Sequence, residues 1–173
     1  MSLLVKSNPA ARALSETLRE GDGPFLPDRR RITALMLGAS ASMGVIVAYQ
    51  MGLIRHLPDP PVPTFDADRV DASAQAYRYG SAPDGTWGLL NYGATIVLAA
   101  MGGADRAERH PWLPLALAAK VGADAAGAAK LTVDQWTKHR AFCGWCLAAA
   151  GATFAALPAV LPEAKAAWRR LRA

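Results

Sequence analysis

The stretch ITALMLGASASMGVIVAYQMGLI, residues 32–54, runs for 23 positions without a charged side chain. A bilayer core about 30 Å thick needs about 20 helical residues, so this run is long enough to span as a helix. The soluble alternative is a buried core helix, but such helices seldom stay free of charge for so long. The run therefore reads as a first membrane span and sets the frame for everything around it.

Upstream, residues 1–31 form a polar tail. Ser7-Asn8-Pro9 supplies a cap and a proline at a first helical position, and Gly21 a stop, predicting a short surface helix over Ala10 to Glu20. Pro24, Pro27 and Arg29-Arg30-Arg31 close the tail. No secretory signal peptide is visible, because Ser2-Leu3-Leu4-Val5 is too short to be its apolar region.

Downstream, residues 55–85 form a long loop. Pro58, Pro60, Pro61 and Pro63 force an extended start, Asp66, Asp68 and Asp71 alternate with small residues, and Pro83-Asp84-Gly85 makes a turn. A second span covers about residues 86–103, interrupted by Asn91, which should face other helices or a ligand rather than lipid. A third covers about 112–133 and carries Lys120 and Asp124 one turn apart, close enough to pair. Its Ala119, Ala123 and Gly127 form a stripe suited to close helix contact. A fourth covers about 142–161, with Leu157-Pro158 as a kink, and a basic tail fills 163–173.

The totals agree with this division. The chain has 173 residues, 52% hydrophobic and 19% charged, yet its mean hydropathy is barely positive, a mean that hides segregation into apolar runs and charged blocks. Net charge +5 could suggest nucleic acid, but the positive residues cluster beside the apolar runs, which fits orientation in a membrane better. With four spans, the N-terminal tail, the 104–111 connection and the C-terminal tail share one side and carry twelve Lys and Arg. The other side, counted with Lys130, carries six. The excess predicts an all-α integral membrane protein, a four-transmembrane-helix bundle with both termini cytoplasmic. The domains are then 1–31 as a tail with its surface helix, 32–162 as the membrane unit, and 163–173 as a cytoplasmic tail.

That topology places the loop and the segment Arg140-Ala141-Phe142-Cys143-Gly144-Trp145-Cys146-Leu147 on the outer face. Both cysteines of the chain are here, two residues apart, where the last apolar run begins. A C-x-x-C pair can hold a reversible disulfide or donate two thiolates to a metal, and disulfides persist outside the cytoplasm. A helix N-terminus favours a thiolate at Cys143, helped by Lys138, His139 and Arg140 upstream. Cys143 is then addressable from water, while Cys146, one turn deeper, faces the membrane interior, where a lipid-soluble electron carrier is the natural reactant. Two bland readings stand beside this one. The cysteines can be plain filler in a small-residue helix. They can also be metal ligands, since His139, Cys143 and Cys146 fall at i, i+4 and i+7 of one helix face, with His56 or a loop aspartate completing the set.

Phe142-Cys143-Gly144-Trp145-Cys146-Leu147, preceded by Lys130-Leu131 through Trp136, resembles the vitamin K epoxide reductase family. A second match is Tyr79-Gly80, then Gly88-Leu89-Leu90-Asn91-Tyr92. The resemblance covers about residues 32–162. It implies a four-helix membrane oxidoreductase, related in mechanism to DsbB-type catalysts, that passes two electrons from a dithiol to a quinone, ubiquinone or menaquinone. By motif position Cys143 would exchange disulfides on the outer side and Cys146 would engage the quinone. Typical members carry two further cysteines in the first outer loop, one shortly before the Tyr-Gly. Here Val70-Asp71-Ala72-Ser73-Ala74-Gln75-Ala76 stands in that place, without a thiol.

The functional expectation is a thiol:quinone oxidoreductase of the bacterial inner membrane, with its active site on the periplasmic side. Its partners are membrane lipid, a quinone and a thioredoxin-like dithiol protein, with no nucleic acid. Catalysis falls to Cys143 and Cys146, and quinone contact to Asn91, Tyr92 and Trp145. No metal is expected, the alternative being His139, Cys143 and Cys146. The competing function is a non-catalytic assembly subunit, with the cysteine pair as a structural disulfide or metal clip.

Overall fold

A computed structural model describes residues 8–78 and 80–173. Among them run α1 (Pro9–Glu20), α2 (Leu26–Gln50), α3 (Ala67–Asp71), a 3-10 turn (Ala74–Tyr77), α4 (Asp84–Ala100), α5 (Arg106–Arg109), α6 (Trp112–Asp134), a π-turn (Gln135–His139) and α7 (Gly144–Arg172). The described residues form no strand; one isolated bridge joins Phe65 to Phe142. Ser7 of the expected cap, Ser2-Leu3-Leu4-Val5 and Tyr79 of the Tyr-Gly match lie outside the described residues.

Asn8 caps α1, its Oδ1 accepting the Ala10 N–H at 3.0 Å. No residue of α1 is buried. The long helices α2, α4, α6 and α7 pack into a bundle, α2 lying against α4 and α7, and α6 against α7 and more lightly α4. Two of them, α2 and α7, are long and apolar enough to cross a membrane. At 17 residues α4 is shorter, and α6 carries Lys120, Asp124, Lys130 and Asp134. One core cluster gathers Met43, Ile46, Leu57, Val70 and Cys143 at the loop end of the bundle. A second gathers Ile32, Met36, Leu117, Val121 and Val160 at the other end. Between α2 and α4 the Met43 side chain lies over Gly88 so closely that a Cβ there would sit 2.6 Å from the Met43 sulfur.

Four boundaries differ from the sequence reading. The first long helix starts at Leu26, so Pro27 and Arg29-Arg30-Arg31 belong to it rather than to the tail. It ends at Gln50, and the chain turns through Gly52 at φ +75°. Asp84 and Gly85, read as a turn, are the first residues of α4. The last helix runs unbroken through Pro158 and Pro162 to Arg172, so 163–173 is no separate tail. Burial explains that extension: Glu163 and Ala167 lie inward, against the Arg106–Arg109 turn.

Arg29 and Arg106 show why this end of the bundle is fixed. The last carbonyls of α4 have no partner within their own helix. Arg29 donates to the carbonyls of Ala99 at 2.8 Å, Ala100 at 3.2 Å, Met101 at 3.1 Å, Gly102 at 3.0 Å and Gly103 at 2.9 Å. Arg106 donates to Leu98 and Met101, both at 2.7 Å, and grips Glu163 with two bonds of 2.8 and 2.6 Å. Gly102, at φ +79°, lets the chain turn tightly here; a Cβ would sit 3.0 Å from that of Arg106. Both arginines are thus helix caps rather than surface charges. Without them the expected cytoplasmic side still holds ten Lys and Arg against six.

The small-residue stripe on α6 is also placed differently. Ala119, Ala123 and Gly127 are exposed, and Leu117, Val121 and Ala125 make the inward face. Leu117 and Val121 favour this face because they bury more apolar area than the stripe would, and Ala125, one turn on, follows them inward.

Candidate active site

The helix pattern of α6 ends at Asp134, whose Oδ2 accepts from both Lys130 and Lys138 at 2.7 Å. Hydrogen bonds and charge from these two lysines hold the Asp134 carboxyl down at about 2. A five-residue π-turn follows, Arg140 adopts φ +53° above the Trp136 ring, and α7 begins at Gly144. Such turns recur at functional sites. This break bears on the metal alternative read from sequence, although His139 still lines the same cavity as Cys146. His139, Cys143 and Cys146 would share a face only on one continuous helix, and the helix is interrupted between them. Among the described residues the group able to hold a metal is Asp71, Cys143 and Cys146 instead.

Cys143 is the N-cap of α7. Its Sγ accepts the Cys146 N–H at 3.2 Å, and its own N–H donates to Oε1 of the buried Gln135 at 2.8 Å. Both cysteines are free thiols. The expected exposure of Cys143 is not found: its relative exposure is 0%. The proline-rich loop closes over it as a strap. Phe142 exchanges backbone bonds with the strap, donating to Thr64 O at 2.8 Å and accepting from Asp66 N at 3.0 Å. The Phe142 ring stacks on Trp136 and lies obliquely to Phe65. Trp145 Nε1 donates to Pro58 O at 3.0 Å, tying the strap to the first turn of α7.

The loop aspartates, read as a simple alternation, have separate structural tasks. Asp66 caps α3 by accepting the Arg69 N–H at 2.9 Å. Asp68 accepts from the Leu57 N–H at 2.8 Å and meets His56 Nδ1 at 2.7 Å. Asp59 accepts the Ala67 N–H at 2.5 Å. The third member of the alternation, Asp71, is 2% exposed and accepts from Cys146 Sγ at 3.7 Å. Burial pushes its carboxyl up to about 6, contact with the two thiols offsetting part of that rise. Its Oδ2 is buried without a hydrogen bond of good geometry. Asp71 is the residue sequence reasoning missed. The available signal was its position, in the segment where a loop thiol was expected and absent.

Beside these groups lies a cavity of about 770 Å³, within the usual range for small-molecule sites. Cys146 and Asp71 form part of its wall, and Met43, Ile46, Leu90 and Tyr92 supply apolar surface. Asn91 lines it too, with its Oδ1 held by Lys120 Nζ at 2.8 Å. Lys120 also pairs with Asp124 at 2.6 Å, the one-turn pairing read from sequence. An apolar cavity of this size ending on a sulfur suits a hydrophobic ring with polar edges, so the residues present fit a quinone. Asn91 and Tyr92 are where such a ligand would meet them, whereas Trp145 is not among the lining residues and holds the strap instead.

The family model described as "Vitamin K epoxide reductase family" matches residues 30–161. Comparison with curated proteins and with solved structures finds no match. The matched span begins at Arg30 inside α2 and ends inside α7, so it contains the strap, the cavity and both cysteines.

Proposed function

The chain belongs to the vitamin K epoxide reductase family, and from that premise we propose that it is a membrane thiol:quinone oxidoreductase acting through Cys143 and Cys146. Members of the family are generally oxidoreductases, and two helices here are apolar and long enough for a membrane. The observation that carries the reading is Cys146 on the wall of a cavity large enough for a quinone, with Cys143 bonded beneath it.

A quinone supplies a two-electron, two-proton acceptor when it is bound. The chain's own residues do the rest. Asn91 lines the cavity with its oxygen fixed by Lys120, and its amide nitrogen would be the donor for a carbonyl oxygen. Tyr92, Leu90 and Ile46 exclude water and provide apolar contact. The N–H of Cys146 and the start of α7 stabilise negative charge on Cys143. With the pair oxidised, the partner's thiolate attacks the Cys143 sulfur of the Cys143–Cys146 disulfide, which forms a mixed disulfide and releases the Cys146 thiolate. The partner's second thiolate then displaces Cys143, leaving the partner oxidised and the pair reduced, its two electrons and two protons being what a bound quinone would accept. The dithiol substrate is a thioredoxin-like partner on the outer face, which reaches Cys143 directly once the strap lifts, because no loop thiol relays electrons.

In this proposal α2, α4, α6 and α7 all span the bacterial inner membrane. Both termini are cytoplasmic and the strap is periplasmic. The half-buried Lys120–Asp124 pair makes α6 tolerable in lipid, since pairing offsets part of the cost of about 2.5–3.5 kcal/mol for a mid-bilayer charge.

The test is a redox titration of the dithiol in native membranes, read by mass-shift alkylation. Cys143 and Cys146 should become oxidised as quinone is supplied and reduced when it is depleted. A dithiol that stays reduced under every quinone supply would sink the reading. It would leave a non-catalytic scaffold.

A further inference from the structure

We propose that the reduced Cys143–Cys146 pair, together with Asp71, is a binding site for a thiophilic divalent metal ion, zinc by its chemistry. The three donor atoms, two sulfurs and one carboxylate oxygen, all lie within 4.8 Å of one another. Ligands around a tetrahedral zinc, with Zn–S of about 2.3 Å, stand roughly 3.5–3.8 Å apart. Cys146 Sγ and Asp71 Oδ1 already lie at 3.7 Å.

Independent of that distance, Asp71 Oδ2 is a buried polar atom without a hydrogen bond of good geometry, beside two thiols that are weak donors. Buried polar atoms are nearly always satisfied, and an unsatisfied one calls for a reason such as an ion. Two thiolates with one carboxylate select zinc-like metals over magnesium or calcium, which prefer oxygen alone. Three protein ligands leave a fourth position for water, and two of the three ligand residues, Cys146 and Asp71, line the cavity. Dithiolate, carboxylate and ion sum to one negative charge. Arg78 lines the same cavity and can offset it, while Lys138 on that wall is already paired with Asp134.

Binding moves no electrons. The ion replaces two thiol protons, which leave to solvent, while Asp71 binds as its carboxylate. The disulfide has no thiolate to offer, so metal and disulfide exclude each other. If the proposed oxidoreductase function holds, the loaded site is locked in the reduced state and the protein senses metal as well as quinone.

The experiment titrates the full-length chain, purified in detergent and reduced with a phosphine, with Co²⁺ as the probe. One equivalent should bind with a sulfur-to-cobalt charge-transfer band. Zn²⁺ should displace it, and prior oxidation of the dithiol should abolish it. Asp71→Asn, which keeps the shape and removes the anionic ligand, should weaken binding at least tenfold while circular dichroism keeps the helix signal. Asp71→Ala should do the same, so failure of one variant to fold leaves the other to decide. Absence of the charge-transfer band, or binding equally tight in both folded variants, overturns the proposal. The quinone titration, repeated in chelator, separates the two ideas. Metal binding without quinone-driven oxidation retains this site and defeats the oxidoreductase. Oxidation without metal binding does the reverse.

Discussion

Asp71 lies 3.7 Å from the sulfur of Cys146, across 75 positions of sequence, and brings a carboxylate where a third thiol would relay electrons. A carboxylate cannot exchange disulfides, so its presence changes what the strap contributes. It also changes stability. Folded Asp71 keeps its proton to about 6, against 3.8 for an ordinary carboxyl. The folded state therefore holds the extra proton between those values, and stability falls as pH rises through that window.

The first prediction follows from that sign. Asp71→Asn, which cannot ionise, should lose the dependence. In chelator above pH 6 it should be more stable than the parent by about 2–3 kcal/mol, at about 1.4 kcal/mol per pH unit. Near pH 4 the two proteins should converge. Thermal unfolding in detergent between pH 4 and 7 measures both slopes, and parallel curves would contradict the burial-driven shift.

At the opposite end of the bundle, Arg106 and Glu163 are a buried pair at 0% and 4% side-chain exposure. Glu163→Leu should cost about 3–5 kcal/mol, because it strands a buried guanidinium. Arg106→Met/Glu163→Leu should cost clearly less than the two single changes summed. It should still cost about 1–3 kcal/mol, since the Leu98 and Met101 carbonyls lose their donor. A double-mutant cycle on unfolding midpoints checks the coupling.

These two pairs also show where sequence was legible. The long apolar runs announced α2 and α7, and the spacing of Lys120 and Asp124 announced their contact, because helix periodicity is local. Asn91 and Tyr92 could be placed at the cavity for the same reason: a polar break in an apolar run must turn inward. Arg29 and Arg106 read as surface charges, because they donate to carbonyls that become orphans only when a helix ends beside them, and Glu163 because its partner is Arg106, 57 positions away. The burial of Cys143 was equally hidden. It comes from the Phe65–Phe142 bridge, a contact 77 positions apart in a loop without periodicity. His139 leaves the helix face of the cysteines for a local reason, the π-turn and the left-handed Arg140, which no spacing rule contains.

The strap supplies a kinetic prediction. Trp145 holds it through one hydrogen bond to Pro58 O at 3.0 Å. Trp145→Phe removes that bond and keeps an aromatic ring, at a net cost of about 0.5–1.5 kcal/mol. If Cys143 reacts only when the strap lifts, its alkylation by a water-soluble maleimide should speed up roughly two- to tenfold. Cys146 measured in a Cys143→Ser background should change less. Equal acceleration of both thiols would mean that the whole cavity opens, not the strap.

The cavity side should respond differently. Asn91→Ala removes the amide that Lys120 orients, while Lys120 keeps Asp124 at 2.6 Å and Thr95 at 3.3 Å. The buried charge thus stays paired and the bundle should survive. A lost hydrogen bond of about 1–1.5 kcal/mol corresponds to a rise of roughly tenfold in the quinone KM. The kcat and the apparent affinity for the dithiol partner should stay within about twofold. Trp145→Phe should show the mirror image, altering the dithiol step and sparing the quinone KM. Steady-state kinetics with each substrate varied in turn separates the two. A variant at Asn91 that disturbed only the dithiol step would show that the cavity is not where the quinone binds. Cys146 would then have to meet its acceptor from the lipid face instead.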